Sequence, residues 1–159
     1  MTETTATTIG FAPDEIDVTA PTRSARLKWV VVVDESLPAG RAVNAALCVG
    51  AATATAVNGL LGPSAADATG SPHPGLPWAG CTVLGADRET LRAIRARASG
   101  REDTFVADMP AAAQATRVYS EYLDSVAATE SDDLEYLAVS LVGPKNRIDK
   151  MVGRLPLLG

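Results

Sequence analysis

With 159 residues, 47% of them hydrophobic and 21% charged, the chain is long enough for one globular domain with a buried core. A formal net charge of −5 argues against broad binding to nucleic acid or anionic membrane, where phosphate neutralisation dominates affinity, so neither partner is expected. Two cysteines and no basic-then-apolar leader point to a reducing cytosol and a cytoplasmic protein without disulfides.

Residues 1–22, MTETTATTIGFAPDEIDVTAPT, are rich in Thr and acids and show no periodicity. They read as a mobile N-terminal arm with Ile9-Gly10-Phe11 as an anchor, leaving 23–159 as the domain. LKWVVVVD (27–34) is a continuous β-branched run, the pattern of a central strand buried on both faces. ESLPAG turns the chain, and a helix of roughly 20 residues runs to the stop signal NGLLGP. Its apolar stretch AVNAALCVGAATATAVNGLL nears membrane-spanning length. It is mostly Ala, however, and Asn44, Thr53, Thr55 and Asn58 interrupt it, so a buried soluble helix is expected.

SAADATGSPHPG (64–75) is a loop by composition. CTVLGA (81–86) is a second strand, and DRETLRAIRARASG (87–100) is a helix with Asp87 as N-cap and Gly100 closing it. DTFVADM (103–109) reads as a third strand, and PAAAQATRVYSEYLDSVAA (110–128) as one helix opened by Pro110. EYLAVSLVG (135–143) is the fourth strand, PKNRIDKMVG (144–153) a last short helix, and RLPLLG an apolar tail. Alternating strands and helices imply an α/β fold in three layers. Its four-stranded sheet should be mixed but mostly parallel, covered by helices and joined by right-handed crossovers.

Ligands of open α/β sheets sit outside the carboxyl ends of the strands. That rule nominates Asp34, Gly40, Arg41 and Asn44 after the first strand, Asp108 after the third, and the Gly143-Pro144-Lys145 turn after the fourth. Gly40 is a turn glycine or a phosphate cradle. Arg41 and Asn44 lie three apart and share a helix face, so both could reach one anionic or amide ligand; alternatively Arg41 pairs with Asp34 or Glu35. Asp108 is a catalytic or orienting carboxylate, or a cap for the following helix. His73, the only histidine, is either an idle loop residue or the general base near neutral pH. Tyr119 and Tyr122 read as core or rim residues. Cys48 and Cys81 read as buried free thiols. Arg88, Arg92 and Arg95 form a basic stripe, and Lys145, Arg147, Lys150 and Arg154 a second cluster; both read as solvated faces, with nucleic-acid contact the minor alternative. No His/Cys or paired-acid spacing suggests a metal, and no cofactor motif is present, so neither group is expected.

Two stretches, KWVVVVDESLPAGRAVNAALCVGAA and LAVSLVGPKNRIDKMVGRLPLL, resemble the type II peptidyl-tRNA hydrolases. The first is similar to their strand, Leu-x-x-Gly turn and Ala-Ala-x-Cys helix. The second is similar to their closing strand, Gly-Pro turn, helix and terminal Leu-x-Leu-Leu. Trp78 and LRAIRARASG fit their second strand and second helix, so the likeness spans about residues 27–158. In the hydrolases the turn and helix read Gly-Lys-Gly-Lys-x-Ala-Ala-Gln-x-x-His. Here Gly40 stands at the Gly, Arg41 at the first Lys and Val43 at the second, which the family uses in its active site. Ala45 and Ala46 match, but Leu47 replaces the Gln and Gly50 the His. Val cannot donate to an ester carbonyl and Gly cannot move a proton. The hydrolases' Asp-Ala-Gly-x-Thr signature is echoed only by Asp108 and, at a different spacing, Thr116. The resemblance thus implies the hydrolase fold without ordinary hydrolase activity.

The chain is more similar still to a bacterial family known only as the domain of unknown function numbered two thousand, with HPG at 73–75 and TRVYSEY at 116–122 among the matching stretches. That resemblance implies the same fold and no established reaction. The expected function is binding or transformation of an amino-acid-like or acyl small molecule in a cleft beside Arg41, Asn44 and Asp108. Asp108 and His73 are the catalytic candidates, and Gly40, Arg41, Asn44 and Thr116 the ligand-binding ones. The alternatives are a divergent aminoacyl- or peptidyl-tRNA hydrolase and a non-catalytic interaction module. A homodimer is expected, completed by the apolar tail and arm.

Overall fold

The computed structural model describes residues 8–159. The valine run forms β1 (Leu27–Asp34), buried along nearly its whole length, and ESLP leads into α1 (Ala39–Ala56). The expected loop 64–75 holds a small hairpin of β2 (Ala65–Ala66) and β3 (Pro72–His73). Next come β4 (Thr82–Ala86) and α2 (Arg88–Ser99), whose N-cap Asp87 accepts from the Thr90 N–H at 2.7 Å. β5 (Phe105–Pro110) follows. Where one long helix is expected, the chain makes α3 (Ala112–Ala115) and α4 (Tyr119–Ala127). Thr116 and Val118 lie between them in extended backbone, the conformation their β-branched side chains favour, and the helix stops there. β6 (Tyr136–Pro144) and α5 (Lys145–Val152) complete the fold.

The four long strands form one mixed sheet in the order β4-β1-β6-β5. Only β1 and β4 pair in parallel; β6 is antiparallel to both β1 and β5. This corrects the mostly parallel sheet. β6 inserts between β1 and β5 and runs against the other three strands, so β1, β4 and β5 end at one edge while β6 ends at the other. Pro144 accordingly pairs with Leu27 at the start of β1, and the Gly143-Pro144-Lys145 turn lies away from the other strand ends.

Helices cover both faces of the sheet. Val30, Val32, Val139 and Leu141 pack beneath Leu91, Ile94 and Ala98 of α2 and Ile148, Met151 and Val152 of α5. Val31, Val33 and Ala138 pack beneath Ala42, Ala45 and Val49 of α1. The α1 side also holds a buried polar contact: the Thr53 hydroxyl lies 2.7 Å from that of Ser140, which accepts from Trp29 Nε1 at 2.9 Å. Burying one aliphatic side chain of this kind contributes about 1.5–3 kcal/mol.

α1 buries only Ala42, Ala45, Val49 and Thr53, a stripe at helical spacing, and exposes the rest of its surface. The expectation of a buried helix is corrected to a half-buried one. Cys48 lies off the buried stripe and is exposed, and so is Cys81 just before β4, which corrects the reading of two buried thiols. Even so, desolvation pushes the Cys81 thiol up to about 11. No helix among the described residues is long and apolar enough to cross a membrane.

Both ends of the chain reinforce the sheet. Residues 1–7 of the expected arm lie outside the described residues, but Ile9, Phe11 and Ile16 of the arm pack against the core while most of the residues around them stay exposed. Phe11 is buried with Leu27, Val57, Leu60 and Val142, its ring centroid lies 4.8 Å from that of Trp78, and its N–H donates to the Asn58 carbonyl at 2.9 Å. Apolar residues too sparse to show a period supply this anchor. At the other end, the Gly85 N–H donates to the Pro156 carbonyl and the Leu158 N–H to the Val83 carbonyl, so the apolar tail lies along the outer edge of β4 and shields it.

Candidate functional site

The β5-to-β6 connection leaves and re-enters the sheet at the same edge, because Pro110 pairs with Tyr136 at the start of an antiparallel strand. α3 and α4 therefore need not cross the sheet. They fold beside the β5 end and enclose, with α1, a cavity of about 610 Å³. Its walls include Asn44 and Cys48 of α1, Asp108 and Met109 of β5, and Thr116, Arg117, Tyr119 and Tyr122.

Of the six residues nominated from sequence, Asn44, Asp108 and Thr116 thus meet around one cavity, and Gly40, Arg41 and His73 stay outside its lining. Gly40 lies in the first turn of α1 with a φ that any residue adopts, and an added Cβ there would meet nothing within 4 Å, so the fold itself does not require a glycine at this position. Arg41 bonds neither Asp34 nor Glu35; its Nε donates to Gln114 Oε1 at 2.8 Å. Gln114 Nε2 donates in return to the Arg41 carbonyl at 2.9 Å and to Asn44 Oδ1 at 3.1 Å. Gln114 thereby buckles α3 to α1 and fixes the amide of Asn44 at the cavity wall. Sequence reasoning passed over it, although it is the one polar side chain in PAAAQA.

Asp108 pairs with Val139 in the sheet, which sets its side chain on the α2 side, where its Oδ2 accepts from Arg95 Nε at 3.2 Å. Arg41 belongs to the α1 side, so the two side chains lie on opposite faces of the sheet, each bonded to a partner of its own. Asp34 behaves like Asp108. It is 1% exposed, Arg88 Nε donates to its Oδ2 at 2.7 Å, and Ser36 donates through both its N–H and its hydroxyl. Burial opposes the charge on Asp34, but these donors outweigh it and hold the pKa below the ordinary value. The two carboxylates at the ends of β1 and β5 are thus each bonded to an α2 arginine, seven residues apart on that helix.

His73 lies on the exposed hairpin, with Nε2 3.3 Å from Asp67 Oδ2. Asp67 is the hub of a tight turn, and the Thr69 hydroxyl, the Ser71 N–H and His73 hold its pKa down at about 2. This reads as loop architecture. Tyr122 is drawn into the cavity instead: burial first, then the neighbouring Asp108 charge and Tyr119, raise its hydroxyl pKa. The Thr116 hydroxyl donates back to the Ala112 carbonyl at 2.9 Å and caps α3 at the cavity rim.

The cavity wall contains neither His nor Lys beside Cys48. It offers an amide, a guanidinium, hydroxyls and two tilted tyrosine rings 5.4 Å apart, groups suited to holding a ligand with an apolar body and a polar end. Among the described residues, no three His, Cys, Asp or Glu side chains stand close enough to hold a metal ion.

The opposite flank of α1 carries a second, apolar groove of about 620 Å³. Val43, Leu47 and Gly50 line it together with Trp29, Val83 and Leu158. These three positions are the ones at which the sequence comparison above places the hydrolases' Lys, Gln and His.

The fold has a solved counterpart. A protein of unknown function from Agrobacterium tumefaciens strain C58 superimposes with a TM-score of 0.77 at 17% identity, over 84% of this chain and 98% of that one. No curated protein sequence matches the chain. A family profile described as "Protein of unknown function (DUF2000)" matches residues 27–159, from the first residue of β1 to the last residue of the tail, and the chain belongs to that family.

Proposed function

We propose that this protein binds a small molecule in the cavity between α1, β5 and the α3–α4 segment. The scaffold is of the type II peptidyl-tRNA hydrolase kind, and its hydrolytic side chains have been replaced. The supporting observation is the convergence of Asn44, Thr116, Arg117, Tyr119 and Tyr122 around about 610 Å³, a volume within the range of small-ligand sites. An acyl or amino-acid-like compound fits this lining. Its carboxylate or amide would meet Asn44 and Arg117, and its apolar part would lie on Met109 and the tyrosine rings. Asp108, held by Arg95, then orients the wall and takes no part in binding through Arg41.

The test is a thermal-shift and NMR screen of short-chain carboxylates, N-acyl amino acids and amino-acid amides against the full chain. Tyr122→Ala and Asn44→Ala are then applied to any hit. Each should weaken binding roughly tenfold to a hundredfold, the equivalent of one lost charge-assisted or aromatic contact. Hits unaffected by both substitutions in folded protein would move the site elsewhere.

The groove on the other flank of α1 favours a second reading, a non-catalytic homodimer. Its walls are apolar where a hydrolase would need donors and a base, so divergent peptidyl-tRNA hydrolysis has the least support.

A further inference from the structure

Charge is distributed unevenly between the two helical layers. Residues 88–101 and 145–154, which comprise α2, α5 and their following turns, hold nine of the 14 basic residues, opposed within those segments only by Glu89 and Asp149. Both helices cover the same face of the sheet, so the basic residues of an acidic chain collect on one side. Part of this charge is matched. Arg88 and Arg95 bond Asp34 and Asp108, and Asp149 bonds Lys28. Four of the others, Arg97, Arg101, Arg147 and Lys150, come together where the end of α2 meets the start of α5.

There Arg97, Arg101, Arg147 and Lys150 line a cleft of about 270 Å³ together with Asn146, and no carboxylate belongs to its wall. Three acids adjoin the cleft without lining it: Asp103 Oδ2 lies 3.2 Å from Arg147 Nε, Glu102 follows Arg101 in sequence, and Asp149 precedes Lys150 and pairs with Lys28. Among the described residues, Arg97, Arg101 and Lys150 form no ion pair.

Helix electrostatics explain only half of this cluster. Arg97 in the last turn of α2 is where a cation is favoured, and Arg101 lies just beyond it. Arg147 occupies the first turn of α5, the positive end, where acids are preferred and none is present; the cap is Pro144, which supplies no side-chain bond. A solvated face would gain from an acid at this position. Asp103 offsets Arg147 alone, and Arg97, Arg101 and Lys150 beside it have no acid partner among the described residues, an arrangement that an added anion would stabilise.

We propose that this cleft binds a multiply charged phosphoryl group, a phosphate monoester or a diphosphate. Guanidinium forks match phosphoryl oxygens two at a time. The first turn of α5 has no side-chain cap, and although its Lys145 N–H donates to the Arg26 carbonyl at 3.3 Å, the positive end of the helix lies on the same side. A singly charged carboxylate would leave most of the four cations unmatched. The site is independent of the ligand cavity proposed above, since it lies toward the opposite edge of the sheet, where β6 ends.

The experiment is an NMR titration of the labelled full chain with inorganic phosphate and pyrophosphate, against sodium chloride at equal ionic strength. Saturable shifts confined to residues 97–101 and 144–151 are expected, with pyrophosphate the tighter ligand. Lys150→Gln and Arg97→Gln change exposed side chains and leave the fold intact; each should weaken pyrophosphate at least about threefold, and together about tenfold or more. Arg147→Gln also removes the contact with Asp103, so its melting temperature is read alongside. Shifts that chloride reproduces, or that Lys150→Gln and Arg97→Gln leave unchanged, overturn the proposal. Binding of single- or double-stranded nucleic acid without binding of pyrophosphate also overturns it, and makes the face a polyanion surface.

Discussion

At Asp34 a strand end, a turn and a helix meet in one carboxylate. Its acceptors take the Ser36 N–H, the Ser36 hydroxyl and the Arg88 guanidinium, and Arg88 reaches on to Glu135 at 2.8 Å. Because the folded pKa lies below the ordinary 3.8, the charged form contributes stability that is complete above that value and is lost as pH falls through the folded pKa. Asp34→Asn keeps an acceptor for Ser36 but surrenders the charge facing Arg88, and should cost on the order of 1.5–3 kcal/mol at neutral pH. Melting curves of both proteins between pH 2 and 7 check this: the gap should be constant near neutrality and narrow below pH 3.8. A gap that is independent of pH would show that the substitution acts through packing alone. The strand-end rule put Asp34 and Asp108 in view from sequence. Their partners, Arg88 and Arg95, were legible only as a stripe, because a helical period does not say which arginines face the sheet.

Strand runs and helix caps were readable because each is a local signal: four consecutive valines, Asp87 before a helix, Gly100 after it. Strand direction is not local. Nothing in EYLAVSLVG says that it enters between β1 and β5 against their direction, and that one fact moves the Gly143-Pro144-Lys145 turn to the far edge and turns the β5–β6 connection into the wall of a cavity. The N-terminal arm shows the same limit. A single buried aromatic gives no periodicity, yet Phe11 is 5% exposed and joins residues from β1, the end of α1 and β6. Phe11→Ala should therefore destabilise the domain by about 3–5 kcal/mol, the range for a large aromatic removed from a core. Urea unfolding of Phe11→Ala beside the wild type measures this, and an unaltered midpoint would mean that the arm contributes nothing to the fold.

For the whole molecule, the two helical layers differ in what they offer to solvent. The α2–α5 side is basic. The α1 side has no Asp, Glu, Lys or Arg from residue 42 to 56, although much of that surface is exposed. Val43 and Leu47 stand out at 56% and 67% exposure beside a groove walled by Ala46, Gly50, Ala54 and Trp29. Exposed apolar side chains beside an apolar groove suit a two-fold interface, in which the same patch meets itself. The lack of charge also lets two copies of a chain with net charge −5 approach there without like charges meeting. The homodimer expected from the sequence would then form through α1, and the tail would contribute only Leu158 at the rim. Leu47→Glu would bury an unpaired charge in each half of such an interface, and it alters nothing in the core of the monomer. Sedimentation at increasing concentration should find the wild type as a dimer, at high salt as well as low because the contact is apolar, and Leu47→Glu as a monomer with an unchanged melting temperature at low concentration. A wild type that stays monomeric at the highest concentration reached would leave the groove as a ligand site only, and a dimer that survives Leu47→Glu would place the interface on another face.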